Sequence, residues 1–169
     1  MLIVFSGLPG TGKTTIAREL AHRTGAVYLR IDVIEQAIRD AAVLAGDVGA
    51  SGYSVANALA LSNLRLGHCV VADCVNPVKE SRDAWKAVAA MAAVELTDIL
   101  VICSDRQEHQ RRVATRKADI PGLTPPTWQS VLAHEFEAWD EVPLTVDTAL
   151  MTQDEAVAMT LANLRANSP

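Results

Sequence analysis

This 169-residue sequence predicts an α/β fold built on a parallel sheet, and three observations predict it. Five short apolar runs, Leu2–Ser6, Ala26–Arg30, Cys69–Asp73, Asp98–Cys103 and Leu144–Asp147, alternate with stretches of helical pattern, the order of a layered α/β chain. The runs are apolar nearly throughout, as strands buried on both faces are. The first of them leads straight into Gly7-Leu8-Pro9-Gly10-Thr11-Gly12-Lys13-Thr14, which fits GxxxxGK[ST] in full between a strand and a helix.

Taken in order, the elements are well punctuated. Lys13 to Thr24 reads as a helix stopped by Gly25, a left-handed C-terminal residue. Asp32 and Glu35 have capping-box spacing ahead of Val33, Ile34, Ala37, Ile38 and Ala41, so a second helix is expected there. A loose stretch, Gly46 to Gly52, precedes a helix from about Tyr53 to Leu66, closed by Gly67. Asn76-Pro77 reads as N-cap and first residue of a helix that carries Trp85. Asp105 with Glu108 caps a basic helix through Lys117, and Pro121-Gly122 and Pro125-Pro126 then break the chain. Trp128, Val131, Leu132, Glu135, Phe136 and Trp139 mark one face of a further helix, and Thr152 with Glu155 caps the last. With no repeat, low-complexity segment or linker, a single domain over 1–169 is expected.

Half of the residues are hydrophobic and 21% are charged, with a net charge of −5. That composition suits a chain with an aliphatic core and argues against a large nucleic-acid surface, which needs clustered Lys and Arg. Cys69, Cys74 and Cys103 are odd in number and lack CxxC spacing, so buried, reduced cysteines in a cytoplasmic protein are expected. No apolar run approaches the roughly 18 residues that span a bilayer, so no membrane partner is expected. Leu2–Phe5 has no basic leader and reads as a strand, not a signal peptide. His22, His68, His109 and His134 show no zinc-site spacing and read as surface or cap residues.

The glycine loop carries the chemistry. Gly7, Gly10 and Gly12 let the backbone wrap closely around a phosphate, and the loop amides with the following helix N-terminus bind its oxygens. Lys13 reaches the β and γ phosphates, and the Thr14 hydroxyl is a hard oxygen ligand suited to Mg²⁺. A nucleoside triphosphate with its magnesium ion is therefore expected on Gly7–Thr15. The loop alone does not separate a kinase from an ATPase switch.

Four stretches carry a family resemblance: GLPGTGKTTIAREL, YLRIDVIEQAI, CVVADCVNPVKESRDAWKAVA and RRVATRK. Together they resemble the polynucleotide-kinase-like and zeta-toxin-like (AAA_33-type) group of P-loop kinases, relatives of chloramphenicol phosphotransferase and adenylylsulfate kinase. The resemblance implies a P-loop NTPase three-layer α/β/α sandwich with strand order 2-3-1-4-5. It also implies a helical lid at about 106–124 and phosphoryl transfer from ATP to a hydroxyl. Asp32 matches the aspartate that binds and deprotonates the acceptor there, a role compatible with capping a helix. Asp73 stands at a Walker B-like position, so the expected metal set is Thr14 and Asp73, with Asp73 holding a magnesium-bound water or contacting substrate. Asn76 is explained equally by an N-cap, and Arg82 by a surface charge. In the lid, Arg112 and Arg116 are four apart and share a helical face. Arginines there stack on adenine and clamp the transferring phosphate. The expected catalytic set is Lys13, Asp32, Arg112 and Arg116, and the expected nucleotide set is Gly7, Leu8, Pro9, Gly10, Thr11, Gly12, Lys13, Thr14, Thr15 and Arg112.

One departure bears on the acceptor. Where the polynucleotide kinase pattern carries an arginine for the substrate's phosphate, this sequence has Glu35, which would repel it. The expected function is therefore ATP-dependent phosphorylation of a small neutral or cationic molecule. Its pocket is expected between the helices around Val33–Leu44 and Tyr53–Leu66, with Gly46–Gly52 flexing to admit it. The alternatives are a 5′-hydroxyl polynucleotide or nucleoside kinase and, in another class, an ATP-binding regulatory switch.

Overall fold

Leu2, Ile3, Val4 and Phe5 are all fully buried, which a strand achieves only at the centre of a sheet covered on both faces. The computed structural model describes residues 1–44, 46–141 and 143–166. Its strands are β1 (Leu2–Ser6), β2 (Val27–Arg30), β3 (Val70–Asp73), β4 (Leu96–Ile102) and β5 (Leu144–Asp147). They form one parallel sheet in the order β2-β3-β1-β4-β5. The helices are α1 (Lys13–Thr24), α2 (Ile31–Asp40), α3 (Ser51–Arg65), α4 (Lys79–Ala92), α5 (Arg106–Thr115), α6 (Trp128–Leu132) and α7 (Gln153–Ala166).

The pleat divides the core into two layers. Ile3 and Phe5 pack with Ile16 and Leu20 of α1 and Ala156 and Val157 of α7. Leu2 and Val4 point the other way, to Ala56, Ala60 and Leu64 of α3 and Trp85 and Val88 of α4. Register then builds one edge of the site, because Phe5 and Arg30 both stand opposite Asp73 at the carboxyl ends of their strands. In open α/β sheets ligands bind beyond those ends.

Two local cap signals hold. Asp105 accepts from the Gln107 and Glu108 amides, and Thr152 and Glu155 bond reciprocally. Others give way to competing partners, some local and some from other elements. α2 starts directly at Ile31 with no side-chain cap; Asp32 pairs with Arg30 and Glu35 with Arg39, so the expected capping box does not form. α4 begins at Lys79, not Pro77. Asn76 is instead left-handed (φ 54) and its side-chain amide donates to the Ser6 hydroxyl. α5 ends at Thr115 and Arg116 is extended, so Arg112 and Arg116 do not share a helical face.

The helix expected through Trp139 stops at Leu132. Beyond it the chain folds back on the start of α4: the Glu137 amide donates to the Pro77 carbonyl and the Glu137 carboxylate accepts from the Lys79 amide. Arg82, expected as a surface charge, is buried. Its guanidinium donates to the Glu137 and Ala138 carbonyls and lies 4.7 Å over the Trp139 ring. Cys69, Cys74 and Cys103 are free thiols. No helix among the described residues is long and apolar enough to cross a membrane.

Candidate active site

The loop between β1 and α1 is held tightly from behind. Gly7 has φ 145, and a Cβ there would lie 2.3 Å from the Val101 carbonyl oxygen. Gly10 has φ 86, with room for no side chain against Val113 and His109 of α5. Thr11 is buried and donates to the Leu8 carbonyl at 2.9 Å. Pro9 has no N–H to offer a phosphate; its carbonyl accepts from His109 Nε2 at 2.8 Å. His109 is therefore no surface residue. It is buried, and the Trp128 ring meets it edge-on at 5.2 Å. Gly12 caps α1 in a left-handed conformation without a side-chain bond, and no acidic residue lies in the first turn. The helix start is thus free to bind an anion.

Lys13 opens α1 and is buried, with Nζ 3.3 Å from Asp73 Oδ1. Asp73 ends β3 almost fully enclosed, and its other oxygen accepts from the Tyr28 hydroxyl at 2.7 Å. Burial opposes its charge, but Lys13, Tyr28, Thr14 and Arg30 outweigh that and hold the carboxyl below the usual range. Asp73 Oδ1 has no hydrogen-bond partner. That oxygen is ion-paired with Lys13 and lies beside the Thr14 hydroxyl, and a hydroxyl next to a carboxylate is a donor set that suits a magnesium ion or its water. No cluster of three or more His, Cys, Asp or Glu ligands exists among the described residues.

Arg112 leaves α5 to donate to Glu108, to the Thr148 hydroxyl at 2.7 Å and to the Thr148 carbonyl at 3.1 Å. Thr148 in turn donates to the Thr11 carbonyl, so the arginine is braced against the back of the phosphate loop. Arg116 follows the helix end and pairs with Asp119 at 3.7 Å. Although off one helical face, Arg112 and Arg116 still meet. With Gly10, Lys13, Thr14 and Thr15 they line one cavity of about 400 Å³. A second hollow beyond Arg112 has Ile16, Thr148 and Met151 in its walls, apolar surface of the kind a flat base covers.

Asp32 does not line the phosphate cavity. It is joined to the cavity wall through Arg30 and Asp119, with Oδ2 held by Arg30 Nη2 at 3.2 Å and Nε at 3.4 Å. Glu35, one turn on, is half-buried over Gly52, where a Cβ would meet its Cγ at 2.4 Å. Burial raises its pKa, Arg39 lowers it, and Asp32 and Asp47 add to the rise. Close by, the Tyr53 hydroxyl accepts from the Asn76 amide at 2.8 Å, and burial pushes that phenol far up.

Residues 2–131, most of the chain, match the AAA_33 family model, described as an AAA domain. The chain belongs to the AAA_33 family. Over 84 residues it is 39% identical to uncharacterized proteins of Mycobacterium bovis and Mycobacterium tuberculosis. That match takes in 43% of this chain and only 17% of theirs, so the chain spans a small part of those relatives. The AAA_33 chain also shares its fold with solved kinases. Mycobacterium tuberculosis APS kinase in complex with AMPPNP and APS has a TM-score of 0.71 at 18% identity, over 97% of this chain and 96% of that one. A sugar kinase of Janibacter has a TM-score of 0.67 at 19% identity, over 97% and 94%. A gluconokinase of Sinorhizobium meliloti has 0.64 at 20%, over 97% and 91%.

Sequence reasoning found the loop, Asp73, Arg112 and Arg116, which the fold brings together, and Asp32, which it joins to them through Arg30 and Asp119. It missed Arg30, Tyr28, His109, Asp119 and Thr148. Arg30 offered one signal: a charge closing an otherwise apolar strand, directly before the helix that carries Asp32.

Proposed function

We propose that this AAA_33 chain is an ATP-dependent phosphotransferase that moves the γ-phosphoryl group to a hydroxyl of a small neutral or cationic molecule. The observation that carries the reading is the meeting, in one cavity, of the phosphate loop with Lys13, Thr14, Arg112 and Arg116, joined through Asp119 and Arg30 to a carboxylate, Asp32, whose Oδ1 has no hydrogen-bond partner among the described residues. Family membership and the fold shared with kinases support it.

In this reading the amides of Gly10, Gly12, Lys13 and Thr14 bind phosphate oxygens, Gly7, Leu8 and Pro9 set the turn that aims them, and Thr11 and Thr15, whose amides donate to the Leu8 and Gly12 carbonyls, fix the loop and the helix start. Thr14 and Asp73 would hold a magnesium ion, which would supply positive charge for the phosphates. Arg112 flanks the base, and Arg116, in a lid of about 106–124, faces the transferring group. Asp32 Oδ1 takes the proton of the acceptor hydroxyl as its oxygen bonds to phosphorus. The bond from phosphorus to the bridging oxygen breaks, and its electron pair leaves with ADP. Catalysis is then positioning and charge stabilisation. Glu35 and Asp47 favour a neutral or cationic acceptor on α2 and α3. The three free cysteines support a reducing, cytoplasmic setting.

The test is transfer of labelled phosphate from Mg-ATP to panels of sugars, amino alcohols, nucleosides and an oligonucleotide. Label on a small hydroxyl compound, lost in Asp32→Asn, supports the reading; label on the oligonucleotide instead overturns its acceptor class. A second reading, a nucleotide-driven switch, draws on the exposed Val33, Val43, Leu44, Val55 and Leu59 of the α2–α3 region. It predicts slow hydrolysis, no acceptor and a stable complex with another protein.

A further inference from the structure

Arg30 is an uncommon residue for its place. It ends a sheet strand, is only 6% exposed, and gathers carboxylates from three other parts of the chain. Asp119, on the segment after α5, takes the end of the guanidinium with both oxygens, at 2.6 Å from Nη1 and 3.2 Å from Nη2. Asp32 takes the Nε–Nη2 edge with a single oxygen. Asp73 stands 3.9 Å from Nε. A guanidinium is planar and its five donors point in fixed directions. Carboxylates bound on two of its edges are therefore held in one plane and at one spacing.

The two ends of this bridge belong to different sides of the site. Asp119 also pairs with Arg116, which lines the phosphate cavity. Ile120 beside it is buried, so the segment is anchored by one apolar and one ionic contact. At the other end, Arg30 engages Asp32 Oδ2 and leaves Oδ1 without a hydrogen-bond partner among the described residues. The relay Arg116–Asp119–Arg30–Asp32 runs from a cation over the phosphates to the oxygen that would take the acceptor's proton.

We propose that Arg30 and Asp119 are positioning residues that tie the segment bearing Arg116 to Asp32, so that the phosphate-facing arginine and the acceptor's base are set together. The inference rests on the phosphotransferase reading and deepens it. Arg30 lies outside the phosphate cavity and acts through Asp32; Asp119 stands in its wall and acts through Arg116. Arg30 fixes the direction of the Asp32 carboxylate, and Asp119 makes that direction depend on where the Arg116 segment lies.

Trypsin reads the tie directly, because Arg116 and Lys117 are cleavage sites inside the tied segment. In Asp119→Asn, cutting after Arg116 and Lys117 is expected to quicken by about fivefold while cutting after Arg65 is unchanged, as for a local opening. The same variant should bind AMPPNP within about threefold of the wild type, since the phosphate loop and Arg112 are untouched, yet lose about tenfold in ATP turnover through misplacement. Arg30→Gln leaves the Asp32 carboxylate unheld while Lys13, Thr14 and Arg112 stay in place, so kcat should fall about tenfold with KM for ATP within about threefold, a split that loosening alone would not produce. If Arg30→Gln fails to fold, Asp119→Asn decides. Unchanged cleavage and turnover in Asp119→Asn, with AMPPNP still bound, overturn the proposal and leave the phosphotransferase reading standing. Failure of the wild type to bind AMPPNP removes that reading and the proposal with it.

Discussion

Lys13→Ala takes from the protein more than a phosphate ligand. The Lys13 side chain is 9% exposed and that of Asp73 1%, so the variant strips the nearest cation from an almost fully buried carboxylate. Breaking a buried pair by removing one partner costs about 3–5 kcal/mol. The Tyr28 hydroxyl at 2.7 Å and Arg30 at 3.9 Å remain, which reduces the expected loss to about 2–4 kcal/mol. For a chain of this size that lowers the unfolding midpoint by about 5–15 °C. The pH dependence has a definite sign. In the wild type burial opposes the charge of Asp73, but its partners hold its pKa down. Its contribution is therefore present above the unfolded carboxyl pKa of about 3.9 and lost as pH falls through the lower folded value. In Lys13→Ala burial prevails and the folded pKa rises, so that variant is best off in acid and loses stability as pH rises. The gap between the two proteins should widen from pH 5 to pH 8. Lys13→Met combined with Asp73→Asn removes both charges and should regain most of the stability at pH 8 without regaining AMPPNP binding. Urea unfolding at the two pH values, with calorimetric titration of AMPPNP, measures all of this. A Lys13→Ala protein as stable as the wild type at pH 8, or a gap that narrows with pH, would refute the reasoning.

Two further outcomes follow from particular contacts. Asp98 lines a separate cavity of about 420 Å³ beside Arg82 and Trp139, with one oxygen unpartnered, and burial, opposed by Lys86 and Arg82, pushes its carboxyl up to about 6. A raised carboxyl contributes stability below its unfolded pKa that is lost as pH rises through the folded one. Asp98→Asn should thus gain about 1–2 kcal/mol at pH 7.5, the full shift being discounted for partial exposure, and nothing at pH 4; equal urea midpoints at pH 7.5 would contradict it. Gly10→Ala places a Cβ 2.5 Å from Val113 Cγ2 at φ 86. It should cost about 2–3 kcal/mol and weaken AMPPNP binding by pushing α5 off the loop; unaltered binding and midpoint would show that α5 yields freely.

The legible parts of the sequence are those whose partners lie a few residues away. Asp105 caps α5 and Thr152–Glu155 caps α7 as their spacing predicts. Asp32–Glu35 carries a comparable signal and fails, because Arg30 and Arg39 offer charged partners to the same carboxylates. Asn76-Pro77 fails because Ser6 at the end of β1 and Tyr53 of α3 claim the asparagine. The apolar stripe through Trp139 is real, yet Glu137 and Trp139 spend it on α4 and Arg82 rather than on a helix.

The amino-acid sequence by itself determined the phosphate loop, the alternation of strand and helix, and the candidate carboxylates and arginines. Each is written in neighbouring residues, where backbone geometry and hydrophobic period leave few choices. Tertiary structure alone decided that Lys13 and Asp73 are a buried pair, that His109 braces Pro9, and that Arg30 joins Asp32 to Asp119, which lies 89 positions along the chain from Arg30. Those contacts depend on which strand ends lie side by side, and nothing local records that until the sheet has formed.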